Sequence, residues 1–443
     1  MLIQFLAFGV LFLLTVGAVI DYKRTVIIWL PVQLLFNPQI AIRYESPAMS
    51  LTLAGDIILL LFYFLKKRTS LDGYDSNSFI FSIPLQITAM SFMLSIAFGI
   101  APIGAGFNST IKYFVTTFGV LFLAQKAIYN SRDIKLFLWT ASIVSIAICI
   151  LALSENLLRD NLWLDFVYFN SPHDISTVGR MFYVPPSIGP GLQIRYGMVR
   201  AMSFFGIHIA FGVACAGYFW LMAKVYRIRL LIIDRRIIAI ATAFLATGVI
   251  MSNSKTGYVG MAFFLLSIYR VEDFLNMKIV FVFLIVIGIV LIYLPEYLNN
   301  FLSLSNEKIA EEGGGSTIVG RTNQFEAALQ MFEMNPIFGN GPGSIGILKS
   351  HGGLSAILGA ESCWMQILPE RGLIGAVSYL CLFYCAWNRL KSFISKRLLG
   401  WFLMGVVVME TATGIIDVVT WGVPLILIYR ICHNCKLNHA RTV

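Results

Sequence analysis

Apolar residues run along this chain in blocks of about 20, the length at which a helix crosses a bilayer. Polar stretches rich in lysine and arginine separate them. The blocks fall near 2–20, 48–65, 79–99, 111–128, 135–153, 201–223, 236–252, 256–269, 278–296, 372–388, 398–415 and 418–431. Short alternating strands, the signature of a membrane β-barrel, are absent from the pattern. It predicts an all-α, polytopic integral membrane protein of about twelve transmembrane helices, forming a single membrane domain over 1–443. The stretch 25–38, "TVIIWLPVQLLFNP", is shorter and carries Pro31, which suits a re-entrant or interfacial segment, with a thirteenth span as the other reading.

Composition agrees. The 443 residues are 58% hydrophobic and 13% charged, half the charge of a soluble domain. Lys23 and Arg24 follow the first block rather than precede it, so that block predicts a membrane helix and not a cleaved leader. The net charge of +10 reads as orientation rather than nucleic-acid binding, because lysine and arginine are retained on the cytoplasmic side. Basic clusters at 66–68, 126–135, 224–236, 270–278, 388–397 and the tail mark cytoplasmic turns and put both chain ends inside. Of the seven cysteines, four fall in apolar blocks and Cys363 stands alone on the outer side, so no disulfide framework is predicted. "CHNC" (432–435) is half of a zinc spacing and reads as tail, without a metal.

This alternation leaves two long outer segments, about 154–200 and 297–371. The first is dense in aromatic residues and carries Arg180, Arg195 and Arg200. Aromatic faces suit sugars and guanidinium forks suit anions, although aromatics also belt any membrane protein at its interfaces. The second contains "GRTNQFEAALQMFEMNPIFGNGPGSIG" (320–346). Thr322 reads as the N-cap of a helix whose Phe325, Leu329 and Phe332 face the membrane domain and which Pro336 ends. Arg321 would then sit just before a helix N-terminus, where backbone N–H groups already favour an anion. The glycines at 339–346 predict tight turns whose backbone can approach a ligand. A dinucleotide fingerprint is excluded, since it needs a soluble strand–turn–helix unit.

That stretch, followed by "AESCWMQILPERGLIGAVSYL" (360–380), resembles the signature of the O-antigen ligase and Wzy-type polymerase superfamily. "MSNSKTGYVG" (251–260) resembles a second element of that family, and "VRAMSFFGIHIAFG" (199–212) a third, in the expected order and sidedness. The resemblance implies an inverting glycosyltransferase of the bacterial inner membrane. Its members act on the periplasmic face and transfer a glycan from an undecaprenyl-pyrophosphate carrier, with no metal, cofactor or nucleotide sugar. It also implies a separate chain-length-regulating co-polymerase as partner.

Carried over residue by residue, Arg321 matches the family's Gly-Arg and is the first candidate for a pyrophosphate contact. Its alternative is an ion pair with Glu326 or Glu311. Lys255 lies where many relatives carry arginine; a lysine is a point charge without the bidentate fork, and could simply snorkel. Arg200 matches the third element, with Arg195 as a nearby alternative. Ligases carry a histidine, the acceptor's base, where this chain reads Glu361-Ser362. Glu361 is therefore the candidate base or acceptor anchor, or else an ion-pair partner of Arg371, and His351 stands in reserve. The change favours polymerisation of O-antigen or exopolysaccharide repeat units over transfer to lipid A core. A lipid-linked oligosaccharide flippase or transporter is the reading of another class, opposed by basic residues gathered at the outer loops rather than along a mid-membrane path. Asp56, Glu410 and Asp417 lie in or beside apolar blocks, close enough to span ends to be solvated.

Overall fold

A computed structural model describes residues 2–36, 40–43, 49–69, 79–171, 185–187, 193–195, 198–228, 233–269, 318–346, 362–414 and 417–441. The described chain is a packed helical assembly. Two small antiparallel hairpins, β1 (Ala41–Arg43) with β2 (Met49–Ser50) and β3 (Ile194–Arg195) with β4 (Met198–Val199), complete the regular structure among these residues.

The apolar blocks became α1 (Leu2–Val32), α2 (Leu51–Thr69), α3 (Ser82–Phe98), α4 (Ile103–Tyr113) and α5 (Val120–Ala127). They continue as α6 (Ser131–Leu158), α8 (His208–Ile228), α9 (Arg235–Met251) and α10 (Lys255–Ile268), with the short α7 (Leu162–Asn170) after α6. After α11 (Ile318–Met334) come α12 (Cys363–Leu390), α13 (Lys396–Thr413) and α14 (Val418–Arg441). Four of these, α1 with its following turn, α6, α8 and α12, are long and apolar enough to cross a membrane. The block 278–296 lies outside the described residues.

Local chemistry sets the boundaries. Asn130 caps α6 reciprocally with Asp133, each side chain accepting from the other's backbone N–H, and Asp133 also pairs with Lys23 at 2.7 Å. A π-helical turn, Phe114–Gly119, joins α4 to α5. Of the stretch 25–38, residues 25–35 are helical, and 37–38 lie outside the described residues. The helix breaks at Asp21 (φ −141°), and its second arm runs back beside the first, with Thr25 packed on Gly17. That arm buries Ile27, Trp29 and Leu30, and Pro31 falls in its last turn.

α8 lies at the centre, buried nearly all round and packed by α6, α9, α10 and α14. Its Trp220 stacks on Phe402 of α13 at 3.9 Å and donates to Ser267 Oγ of α10 at 2.8 Å. The assembly has two ends. At the basic end, Lys66 donates to Val19 O (3.2 Å), Asn434 to Tyr129 O (3.0 Å), and Arg397 to Leu266 O (3.2 Å). At the opposite end, Leu51 N donates to Ile40 O (2.8 Å), Ala201 N to Met251 O (3.0 Å), and Trp364 Nε1 to Thr411 Oγ1 (3.1 Å).

Candidate functional site

The site elements gather at that opposite end and rest on two constructions. The first is a clasp between the glycine turn after α11 and the kink of α12. Asn340 is fully buried. Its N–H donates to Pro369 O (2.8 Å), and its side-chain amide donates to Met331 O (2.6 Å) and Pro369 O (3.1 Å). Its carbonyl accepts from Ile100 N (3.0 Å) and Ala101 N (2.9 Å), tying in the α3–α4 corner. Gly341 N donates to Glu370 O (3.0 Å), Leu373 N to Pro336 O (2.9 Å) and Ile374 N to Ile337 O (3.2 Å). The Glu370 carboxylate accepts from Gly343 N (3.0 Å), and Arg371 lies 4.5 Å above the Phe92 ring.

This contact demands glycine on both sides. Gly339 (φ +74°) has its missing Cβ directed into the backbone of Glu370 and Arg371. A Cβ on Gly372 (φ +61°) would stand 2.5 Å from Ile337 O. At Gly339 and Gly372 the close approach is made by the chain itself. Glu370 and Arg371 lie inside α12, just before its kink at Gly372.

The clasp fixes α11, and two details of α11 differ from expectation. The helix begins at Ile318, so Thr322 lies inside it and is not its N-cap; Arg321 occupies the first turn rather than the position before it. The buried stripe is Ala327, Ala328 and Met331, with Phe325 43% exposed and Leu329 and Phe332 half-buried. Small residues let α11 lie close to α12, which bulky phenylalanines on that face would prevent. Arg321 itself is exposed.

The second construction ties the Arg200 segment to the turn that leads into Lys255. Glu155, fully buried near the end of α6, accepts from Met202 N (2.8 Å) and Ser203 N (3.0 Å), and also from the Asn161 amide. Ser203, a non-glycine residue at φ +52°, is held there by these bonds and by its hydroxyl on Ile148 O (2.7 Å). The preceding residues pair outward, Arg200 N with Gln193 O (2.9 Å) and Ala201 N with Met251 O (3.0 Å). Met251 leads directly into the turn Ser252–Asn253–Ser254, where Ser254 caps α10 and Lys255 is its first residue. The second and third elements of the sequence signature therefore form one backbone-bonded unit. Sequence reading missed Glu155; its signal was a carboxylate near the end of an apolar run.

Of the remaining candidates, Arg195 lies on β3 opposite Met198. Glu361 and His351 lie outside the described residues. Ser362, next to Glu361, caps α12 by accepting from Trp364 N (3.3 Å). Behind the cap, Tyr379 donates to the buried Glu410. Asp56 is likewise buried and accepts from Trp29 Nε1 (2.9 Å), so neither of these two carboxylates is solvated as expected. Asp417 is exposed and accepts from Val419 N (3.0 Å). It lines a cavity of about 360 Å³ beside the Arg200 segment, walled by Phe36, Phe205, Ile207 and Val213, with Gln33, Thr52, Thr413 and Thr420 as further polar groups.

Residues 240–380, from α9 to the middle of α12, match the O-antigen ligase family. Over those residues the chain is similar to the O-antigen ligase and Wzy-type superfamily. No curated protein and no solved structure matches it. The superfamily segment contains Lys255, Arg321, the clasp and Glu361, while Arg200 and its Glu155 support lie outside it. Members of this superfamily are glycosyltransferase-like membrane enzymes, and the chain's apolar helices accord with a multi-pass membrane protein.

Proposed function

We propose that this protein is an inner-membrane glycosyltransferase that polymerises undecaprenyl-pyrophosphate-linked oligosaccharide repeat units into O-antigen or exopolysaccharide on the periplasmic face. The observation that carries the reading is the clasp. It uses the glycine turns as scaffold and leaves Arg321 exposed in the first turn of an anchored helix. A guanidinium there adds to the N-terminal N–H groups of α11, an arrangement suited to a pyrophosphate.

In this reading Arg321, Lys255 and Arg200 hold the pyrophosphate and stabilise the charge that develops as it leaves. Arg195 is a further contact of the same kind. Glu361 accepts the proton of the acceptor hydroxyl, with His351 as its reserve. The new glycosidic bond forms at the anomeric carbon, with inversion, as the bond to the pyrophosphate oxygen breaks. No metal or nucleotide sugar takes part. The cavity beside the Arg200 segment offers room for saccharide.

The topology follows from the two ends. Counting the arms of α1 separately and α4–α5 as one, the described helices make twelve crossings, and 278–296 would be a thirteenth. Residue 2 then sits at the outer end, and the basic end faces the cytoplasm. The outer segments become about 159–207 and 297–362, since α6 and α12 extend into the ranges expected for loops.

Transfer to lipid A core is the second reading, favoured by the family matched by residues 240–380. Purified protein in lipid, given carrier-linked repeat units alone, separates the two. Polymerisation gives a ladder of products; a ligase gives none until lipid A core is added.

A further inference from the structure

The basic end holds a second cavity, of about 340 Å³, far from the candidate site. It lies where α8 ends, α13 begins and α14 emerges. Lys224 and Ile228 come from α8, Phe393, Ile394, Ser395 and Leu398 from the α12–α13 corner, and Ile431 and Cys432 from α14. The volume falls among those of pockets that hold small molecules, about 300–1,000 Å³.

Its chemistry is one-sided. No carboxylate among the described residues lines it, and the sole charged group among those on its walls is Lys224. Three nearby arginines are engaged: Arg227 donates to Ile268 O and stacks over Tyr269, Arg397 donates to Leu266 O, and Arg430 to Gln125 O. Lys224, half-buried, makes no hydrogen bond or ion pair with any described residue. Beyond it the walls are isoleucine, leucine and phenylalanine, with the Ser395 hydroxyl at the corner.

We propose that this cavity binds an anionic glycerophospholipid, its phosphate on Lys224 and its glycerol and upper acyl carbons against Ile228, Ile394, Leu398 and Ile431. Two arguments converge. A lone lysine over an apolar floor matches a group that is anionic at one end and hydrocarbon at the other. The cavity also lies at the ends of membrane-crossing helices, at the headgroup level, where basic pockets between helices take up acidic lipids. This inference does not depend on the polymerase reading.

The test uses the full-length protein in detergent, titrated with phosphatidylglycerol, with phosphatidylcholine, or with inorganic phosphate. Bound lipid is read by native mass spectrometry and the unfolding midpoint by thermal shift. Wild type should retain phosphatidylglycerol and gain in midpoint, with neither effect from phosphatidylcholine. Lys224→Gln should weaken retention about fivefold, the worth of one cation at an acidic headgroup. Cys432→Leu, which narrows the cavity and leaves the lysine, should weaken it as well, whereas Lys396→Gln, an exposed cation outside the cavity, should not. Should Lys224→Gln fail to fold, Cys432→Leu decides alone. Equal retention by wild type and Cys432→Leu would overturn the proposal, as would equal loss in Lys224→Gln and Lys396→Gln. An equal midpoint gain from inorganic phosphate would instead assign a free-anion site and remove the lipid from the account.

Discussion

Asn340 and Pro369 are joined twice, by backbone N–H to carbonyl at 2.8 Å and by side-chain amide to the same carbonyl at 3.1 Å. Pro369 has no following helical N–H to satisfy that carbonyl in the ordinary way, because α12 breaks at Gly372. The asparagine from another segment takes that role. What looks in sequence like a binding loop is the hinge pin of the helix that carries Arg321.

Asn340→Ala removes both side-chain bonds from a buried position and leaves Met331 O short of a donor, a cost of about 1–3 kcal/mol. Gly339→Ala should be worse, since its Cβ meets backbone and not a flexible side chain. Both variants should lower the unfolding midpoint in detergent, Gly339→Ala the more, and both should reduce polymer in a complemented deletion strain.

Glu155 gives a prediction that sequence resemblance does not. Glu155→Ala leaves the N–H groups of Met202 and Ser203 buried without their acceptor, at about 1–3 kcal/mol each. The Arg200 segment should loosen. Limited proteolysis should show faster cleavage within 193–205, and product yield should fall although Glu155 touches no substrate. Glu155→Gln, which keeps the shape, should fall between wild type and alanine.

Lys255 and Arg200 share one backbone-bonded unit, so a cation at either position should serve the same anion. Lys255→Met should cut turnover about a hundredfold, the effect of losing one preorganised charge contact. Lys255→Arg should keep or raise it, because the fork can engage two oxygens. A steady-state assay on carrier-linked repeat units reads both; equal losses in the two variants would assign Lys255 to packing.

The fold was legible where physics is local. An apolar block of bilayer length becomes a helix whatever its neighbours, and nearly every described block did so. The second arm of α1 was harder, because Pro31 mimics a break, and only the packing of Thr25 on Gly17 shows the chain returning. In the site, the glycines at 339–346 announced tight turns, and Gly339, Gly341 and Gly343 do take positive φ, but a turn carries no information about what lies opposite. That partner, Glu370–Gly372, is about thirty residues downstream. The α11 face was misread for a related reason: Phe325, Leu329 and Phe332 are the bulkier helical stripe, yet close helix contact selected Ala327 and Ala328. Glu155 went unnoticed since its partners are backbone N–H groups, which leave no trace in side-chain pattern.

Arg321→Ala is the most direct test of the central claim. Arg321 is exposed, so its loss should leave the unfolding midpoint within about 0.5 kcal/mol of wild type in stability. The purified variant, given undecaprenyl-pyrophosphate-linked repeat units, should make no ladder of products while the wild type does. A full ladder from a stably folded Arg321→Ala protein would contradict the account and remove the pyrophosphate from α11.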